Sequence, residues 1–146
     1  MFNICFRMTG NREDAEDMLQ EAFTQVFLKI DTFRFESEFG AWIKRIVVNT
    51  CINNLNKRKL PLTYVDEMAK FTLPDEETEE PEFNTRKILA AMEQLPQGGR
   101  IIFSLYLLEG YDHQEIAHIM NISESTSKTQ FMRAKQKILQ ILKEQN

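Results

Sequence analysis

From Asn11 onward, apolar residues recur at Ala15, Met18, Leu19, Ala22, Phe23, Val26, Phe27 and Ile30, with gaps that alternate between three and one. That period lays a single apolar stripe along a helix of about four turns. Asn11 is suited to cap its start, and Glu13, Asp14, Glu16 and Asp17 complement the positive end of the helix dipole. The polar side presents Asp14, Asp17, Gln20, Glu21 and Thr24 and is acidic. After Asp31, Phe33, Phe35, Phe39 and Trp42 gather around a short polar loop, Glu36-Ser37-Glu38. A second helix is predicted from Ser37 or Glu38, burying Phe39, Trp42, Ile43, Ile46, Val47, Ile52 and Leu55. Arg45, Asn49 and Asn53 recur every four residues along it and form one exposed polar stripe.

The second half keeps the helical period but is cut more often. NTRKILAAMEQLPQGGRIIFSLYLLEG reads as two short helices broken at Pro96 and Gly98-Gly99. A short helix from Asp112 to Met120 then meets a tight turn, Asn121-Ile122-Ser123, and a longer helix from Glu124 to Lys143. That arrangement suits a helix-turn-helix, with Ala117 where the two helices touch. Phe131, Ala134, Ile138, Ile141 and Leu142 form the buried stripe of the long helix, and Ser125, Lys128, Thr129, Met132, Arg133 and Lys135 its outer face. A helical hairpin without DNA contact fits the same pattern.

Charge changes the picture. The 146 residues carry a net charge of −4, which on its own points away from nucleic acid. Residues 66–82, however, hold eight acids and one Lys, a segment charge of −7, so the remainder is +3. Residues 39–65 and 125–143 contain five basic side chains each and no acid. Two acid-free basic stretches on either side of an acidic, Pro-containing segment favour contact with a polyanion. The segment is too polar to offset its ordering entropy by burial, so it reads as a flexible linker over 61–83 between domains at 1–60 and 84–146.

Other function classes find little support. No apolar run approaches the roughly 20 residues of a membrane span, and no signal peptide is visible. Cys5 and Cys51 match no metal spacing and read as buried thiols in a reducing cytosol. His113 and His118 lie five apart on one helix and read as surface residues. No nucleophile constellation, metal cluster, cofactor motif or phosphate-binding Gly loop is present. Asparagine is a poor helix former, so the Asn49/Asn53 stripe is costly unless its amides are used. Amides pair with base edges, Arg and Lys with phosphate, and aromatics stack on unpaired bases. An aromatic core with polar caps remains the alternative.

GNREDAEDMLQEAF, DTFRFESEFGAWIKRIVVNT and LPQGGRIIFSLYLLEGYDHQEIAHIMNISESTSKTQFMRAKQKI together resemble the small extracytoplasmic-function group of bacterial RNA polymerase sigma factors, in a lineage typical of Bacteroidetes. The resemblance implies that Asp17, Gln20 and Glu21 dock on core polymerase. It implies that the loop at Phe35 and Ser37 captures a base flipped from the minus-ten element, with Asn49 and Asn53 reading that element and Arg45, Lys57, Arg58 and Lys59 near its backbone. Lys128, Thr129, Gln130, Met132, Arg133 and Lys135 then fall on the helix that reads the minus-thirty-five element. It also implies an anti-sigma partner, and further residues ahead of MFNICFRMTG to complete the first helix.

The expectation is an all-α, two-lobe, non-enzymatic transcription initiation factor of the cytoplasm, with core RNA polymerase and promoter DNA as partners. It needs no cofactor or small-molecule substrate and has no direct membrane insertion. A stand-alone helix-turn-helix regulator and a helical adaptor that binds only protein are the alternatives.

Overall fold

The computed structural model describes residues 1–58, 61–66 and 84–145. Lys59 and nearly all of the acidic segment expected to act as a linker lie outside the described residues. Among the described residues the chain is all-α, seven helices and one 3-10 turn, in two compact units, Met1–Pro61 and Leu62–Asn146.

In the first unit, α1 (Phe2–Thr9) ends at Gly10, whose φ of 83° lets its N–H reach the Phe6 carbonyl at 2.9 Å. The tight turn leads straight into α2 (Arg12–Lys29), where the Asn11 side chain accepts from the Asp14 N–H at 2.8 Å, as the sequence predicts. A 3-10 turn (Ile30–Thr32) and a loop precede α3 (Phe39–Lys57). Ile4, Cys5 and Met8 of α1 bury with Ala15, Met18, Ala22 and Val26 of α2 and Val47, Val48, Cys51, Ile52 and Leu55 of α3. Inside this core the Cys51 thiol donates to the Cys5 sulfur at 3.7 Å, and both cysteines are free and buried. That hydrogen bond and burial both push the Cys51 thiol up. An ion pair between Arg58 and Asp14, at 2.9 Å, ties the end of α3 to the start of α2.

The apolar stripe of α2 is narrower than its sequence pattern. Phe23, Phe27 and Ile30 reach the surface, and so does Leu28; Phe27 and Leu28 are each 72% exposed. Periodicity marks a face as apolar; it does not say which part of that face a neighbouring element covers. Phe39 is likewise exposed rather than buried, and Trp42, Ile43 and Ile46 are half-buried.

The second unit holds α4 (Thr85–Glu93), α5 (Gln97–Leu107), α6 (His113–Met120) and α7 (Glu124–Glu144). Gly98 and Gly99 do not break a helix; they sit in the first turn of α5, directly after Pro96. Asp112 caps α6 with a capping box that Glu115 completes. Val65, Ala91, Met92, Leu95, Phe103, Ala134, Ile138, Ile141 and Leu142 form one buried cluster. Residues 62–66, assigned by composition to the linker, are thus part of this unit, with Val65 inside its core.

Candidate nucleic-acid interface

Three surfaces carry the candidate residues. On α2, Asp17, Gln20 and Glu21 are all exposed and lie at i, i+3 and i+4, with Thr24 and Leu28 continuing the stripe. The exposed Phe27 and Leu28 at its end give an acidic surface with an apolar margin. Sequence periodicity puts Phe27 on the buried stripe, whereas the structure leaves it exposed.

The second surface joins the 33–38 loop to α3. Phe33 packs its ring against Phe35 at 4.8 Å, Trp42 at 5.2 Å and Phe39 at 5.3 Å. Phe35 is 86% exposed, and its backbone is held at φ 59°. A bulky residue in the left-handed region costs about 1–2 kcal/mol, a strain that clusters at functional sites. Ser37 is exposed beside it. Trp42, Arg45, Asn49 and Asn53 follow at i, i+3, i+7 and i+11, so the aromatic cluster runs directly into the amide stripe. Arg45, Asn49, Asn53 and Lys57 are exposed. Arg58 is exposed but paired with Asp14, whose carboxyl the guanidinium holds below the usual carboxylate range.

The third surface is the outer face of α7. Asn121 takes the left-handed conformation, φ 55° and ψ 48°, that turns the chain between α6 and α7. Ile122 N–H bonds to the Ala117 carbonyl at 3.0 Å, and Ser123 caps α7 by accepting from the Thr126 N–H. Ser125, Lys128, Thr129 and Met132, at i, i+3, i+4 and i+7, line the exposed side; Met132 is 60% exposed. Lys128 forms a surface ion pair with Glu124 at 3.3 Å, and Lys135 is exposed. Arg133 is half-buried.

Gln130 requires a correction, because it does not belong to this face. It is 5% exposed, its Oε1 accepts from the Val65 N–H at 2.9 Å, and its Nε2 donates to the Val65 carbonyl at 3.1 Å. An amide with both ends bound inside the protein cannot read a base. Its register shows this in hindsight: it precedes the buried Ala134 and Ile138 by four and eight residues.

His113 is a second correction. It is half-buried, stacked on Tyr106 at 4.3 Å, and its Nδ1 lies 2.8 Å from the hydroxyl of the fully buried Ser127. Burial first, and then the Lys128 charge, lower its pKa, while Glu124 and Asp112 oppose the shift. A histidine depressed in the folded state contributes stability above its unfolded value near pH 6.5, and that contribution is lost as pH falls through the folded pKa. The melting temperature of the second unit is therefore expected to fall between about pH 7 and pH 5. In His113→Gln the fall should be smaller; an equal fall in both proteins would assign it to other groups.

Among the described residues, no group of His, Cys, Asp or Glu side chains could hold a metal ion, and no helix is long and apolar enough to cross a membrane.

The family model for sigma-70 region 2 matches residues 1–60, and that for sigma-70 region 4 matches residues 85–138. Over 86% of its length the chain is 32% identical to the ECF RNA polymerase sigma-E factor of Escherichia coli strain K12, covering 72% of that protein. The chain belongs to the ECF sigma factors of bacterial RNA polymerase. The ECF RNA polymerase sigma factor SigW of Bacillus subtilis is 29% identical over 99% of this chain and 83% of its own. In fold, the chain resembles the sigma factor RpoE of Bartonella quintana, solved with the anti-sigma factor NepR, with a TM-score of 0.63 over 97% of this chain and 89% of that one at 19% identity. As an ECF sigma factor the protein is a promoter-directing transcription factor. The region 2 match covers the aromatic loop and the amide stripe, the region 4 match covers α4 to α6 and most of α7, and residues 62–66 fall outside both.

Proposed function

We propose that this ECF sigma factor docks on core RNA polymerase through the α2 surface of Asp17, Gln20 and Glu21 and reads promoter DNA with its two units. The first unit takes the minus-ten element. Asn49 and Asn53 offer amides to base edges, Arg45, Lys57 and Arg58 face phosphate, and the Phe35–Ser37 loop holds an unstacked base. Lys128, Thr129, Met132, Arg133 and Lys135 of α7 take the minus-thirty-five element, and the acidic segment joins the two. The protein acts in the cytoplasm, performs no chemistry of its own, and is held in check by an anti-sigma factor, a partner seen with the sigma factor it resembles in fold.

The observation that carries this reading is Phe35, exposed, strained and stacked at the head of an amide stripe. Extracting a base costs a few kcal/mol, and stacking on an aromatic ring returns about 1–3 kcal/mol. Together the strained backbone and the ring platform form a site prepared before DNA arrives, so less ordering is left for the moment of binding. Phe35→Ala is expected to lower transcription from duplex promoters about tenfold or more. On a template already opened at the minus-ten element the loss should shrink; an equal loss on both would remove base capture from Phe35.

Transcription from a promoter library by core polymerase, with and without the protein, tests the function as a whole. New start sites that depend on the protein are expected, and their absence with full-length protein would overturn the proposal. Asp17→Lys with Glu21→Lys should abolish co-purification with core polymerase, whereas a stand-alone regulator would not co-purify at all.

A further inference from the structure

Residues 62–66 form a strap, outside any helix, that packs on the second unit. The Thr63 carbonyl accepts from the Gly98 N–H at 2.7 Å, one of the first-turn donors of α5 that lack a partner within the helix. Pro96, at the N-cap of α5, supplies no side-chain cap, so the strap fills that role. Two residues on, Val65 exchanges two hydrogen bonds with the Gln130 side chain, as one β-strand does with its neighbour, and its own side chain enters the core.

The slot for this strap is cut into α5 by its two glycines. A Cβ at Gly98 would meet the Tyr64 ring at 2.7 Å and the Thr63 carbonyl oxygen at 2.9 Å; one at Gly99 would meet Val65 Cγ2 at 2.4 Å. Val65 is buried and β-branched, so its methyl cannot swing aside freely. Glycine normally weakens a helix by about 1 kcal/mol, and two in succession at buried positions are explained by the backbone they admit. The Val65 carbonyl also accepts from Arg133 Nη1 at 3.5 Å. The strap thus ends on a side chain of the outer α7 face, five residues after Lys128.

We infer that the strap is a positioning element for promoter reading: Gly98, Gly99 and Gln130 form its receptor, and Val65 holds the Arg133 guanidinium in place for the upstream element. The inference rests on α7 being the helix that reads that element. Arg carries large rotamer entropy, and a partner that restrains it beforehand lowers the ordering cost of contact with DNA.

The test uses the full chain on core polymerase and a duplex whose upstream element has been selected from randomised DNA by the wild-type complex. Gly99→Ala, which changes no residue of α7, is expected to expel the strap, to expose the Val65 amide to hydrogen exchange, and to weaken binding by about tenfold. In an Arg133→Ala background the same substitution should cost little more, because the side chain it positions is gone. Equal losses in both backgrounds would assign the strap a purely structural role and overturn the inference. Gln130→Met, close in volume but unable to hold Val65, acts from the opposite side and should show the same dependence on Arg133, which guards against a Gly99 variant that fails to fold. If Lys128→Ala weakens binding and Arg133→Ala does not, the positioning role falls while α7 remains the reading helix; if neither matters, the reading of α7 itself falls.

Discussion

Alanine at both Lys128 and Arg133 is expected to weaken use of the upstream promoter element at least about thirtyfold, since each direct DNA contact contributes about 1–3 kcal/mol. The fold gives little reason for the loss to come from elsewhere. Lys128 loses only an exposed ion pair with Glu124, and such pairs contribute about 0–1 kcal/mol. Arg133 loses one long bond to the Val65 carbonyl. Two fewer cations at the phosphates should also flatten the salt dependence of binding by about two counterions. Promoters that depend mainly on the downstream element should be nearly unaffected, whereas Asn49→Ala should alter preference at that element alone. Uniform loss from the double variant at every promoter, whatever its upstream sequence, would count against an upstream-reading role for α7.

The helices themselves were legible because their apolar periods are clean, and Asn11 caps α2 as its position suggests, whereas the capping roles of Asp112 and Ser123 come from the structure. Burial was less legible, since it depends on what lies opposite a stripe. Phe27 and Phe39 satisfy the helical pattern yet are exposed, Phe39 while packing on the Phe33 and Trp42 rings. Gln130 errs the other way: the resemblance implied a DNA contact, while its register and the strap opposite place it in the core. Ser127 and His113 form a polar pair between α6 and α7 that no local pattern announces, since the two partners are 14 residues apart. Long-range partners of single polar side chains are the part of a fold that periodicity does not encode.

The same limit applied to charge. A net −4 points away from DNA until it is resolved along the chain into an acidic segment and two basic stretches, and the structure adds which of the basic side chains are exposed. Arg45 and Lys57 are exposed along α3, and Lys128 and Lys135 along α7, whereas Arg58 is partly neutralised by Asp14. Of the three candidate surfaces, the α3 stripe therefore relies most on amides and aromatic rings and α7 most on cations. That division fits a downstream element held as opened strand and an upstream element held as duplex.

Ile116→Ala is expected to destabilise the second unit by about 2–5 kcal/mol, a large share of the roughly 5–15 kcal/mol that holds an ordinary domain together. α6 has eight residues, too few to persist alone despite its capping box. It stays in place through burial, and only Ile116 and Met120 of its side chains are buried, Ile116 completely. Removing Ile116 takes away the larger part of that anchorage and leaves a cavity against elements that are themselves packed. The turn at Asn121 transmits the loss, because only three residues separate α6 from α7 and the last of them, Ser123, is the α7 cap. Thermal unfolding of the second unit should shift down by at least about 8 °C, and transcription from promoters that need the upstream element should fall with it. Co-purification with core polymerase through α2 should persist, because Ile116 lies outside the unit that carries Asp17, Gln20 and Glu21. A variant that melts early yet still discriminates upstream sequences at the temperature of the assay would show that α7 reads DNA without the support of α6.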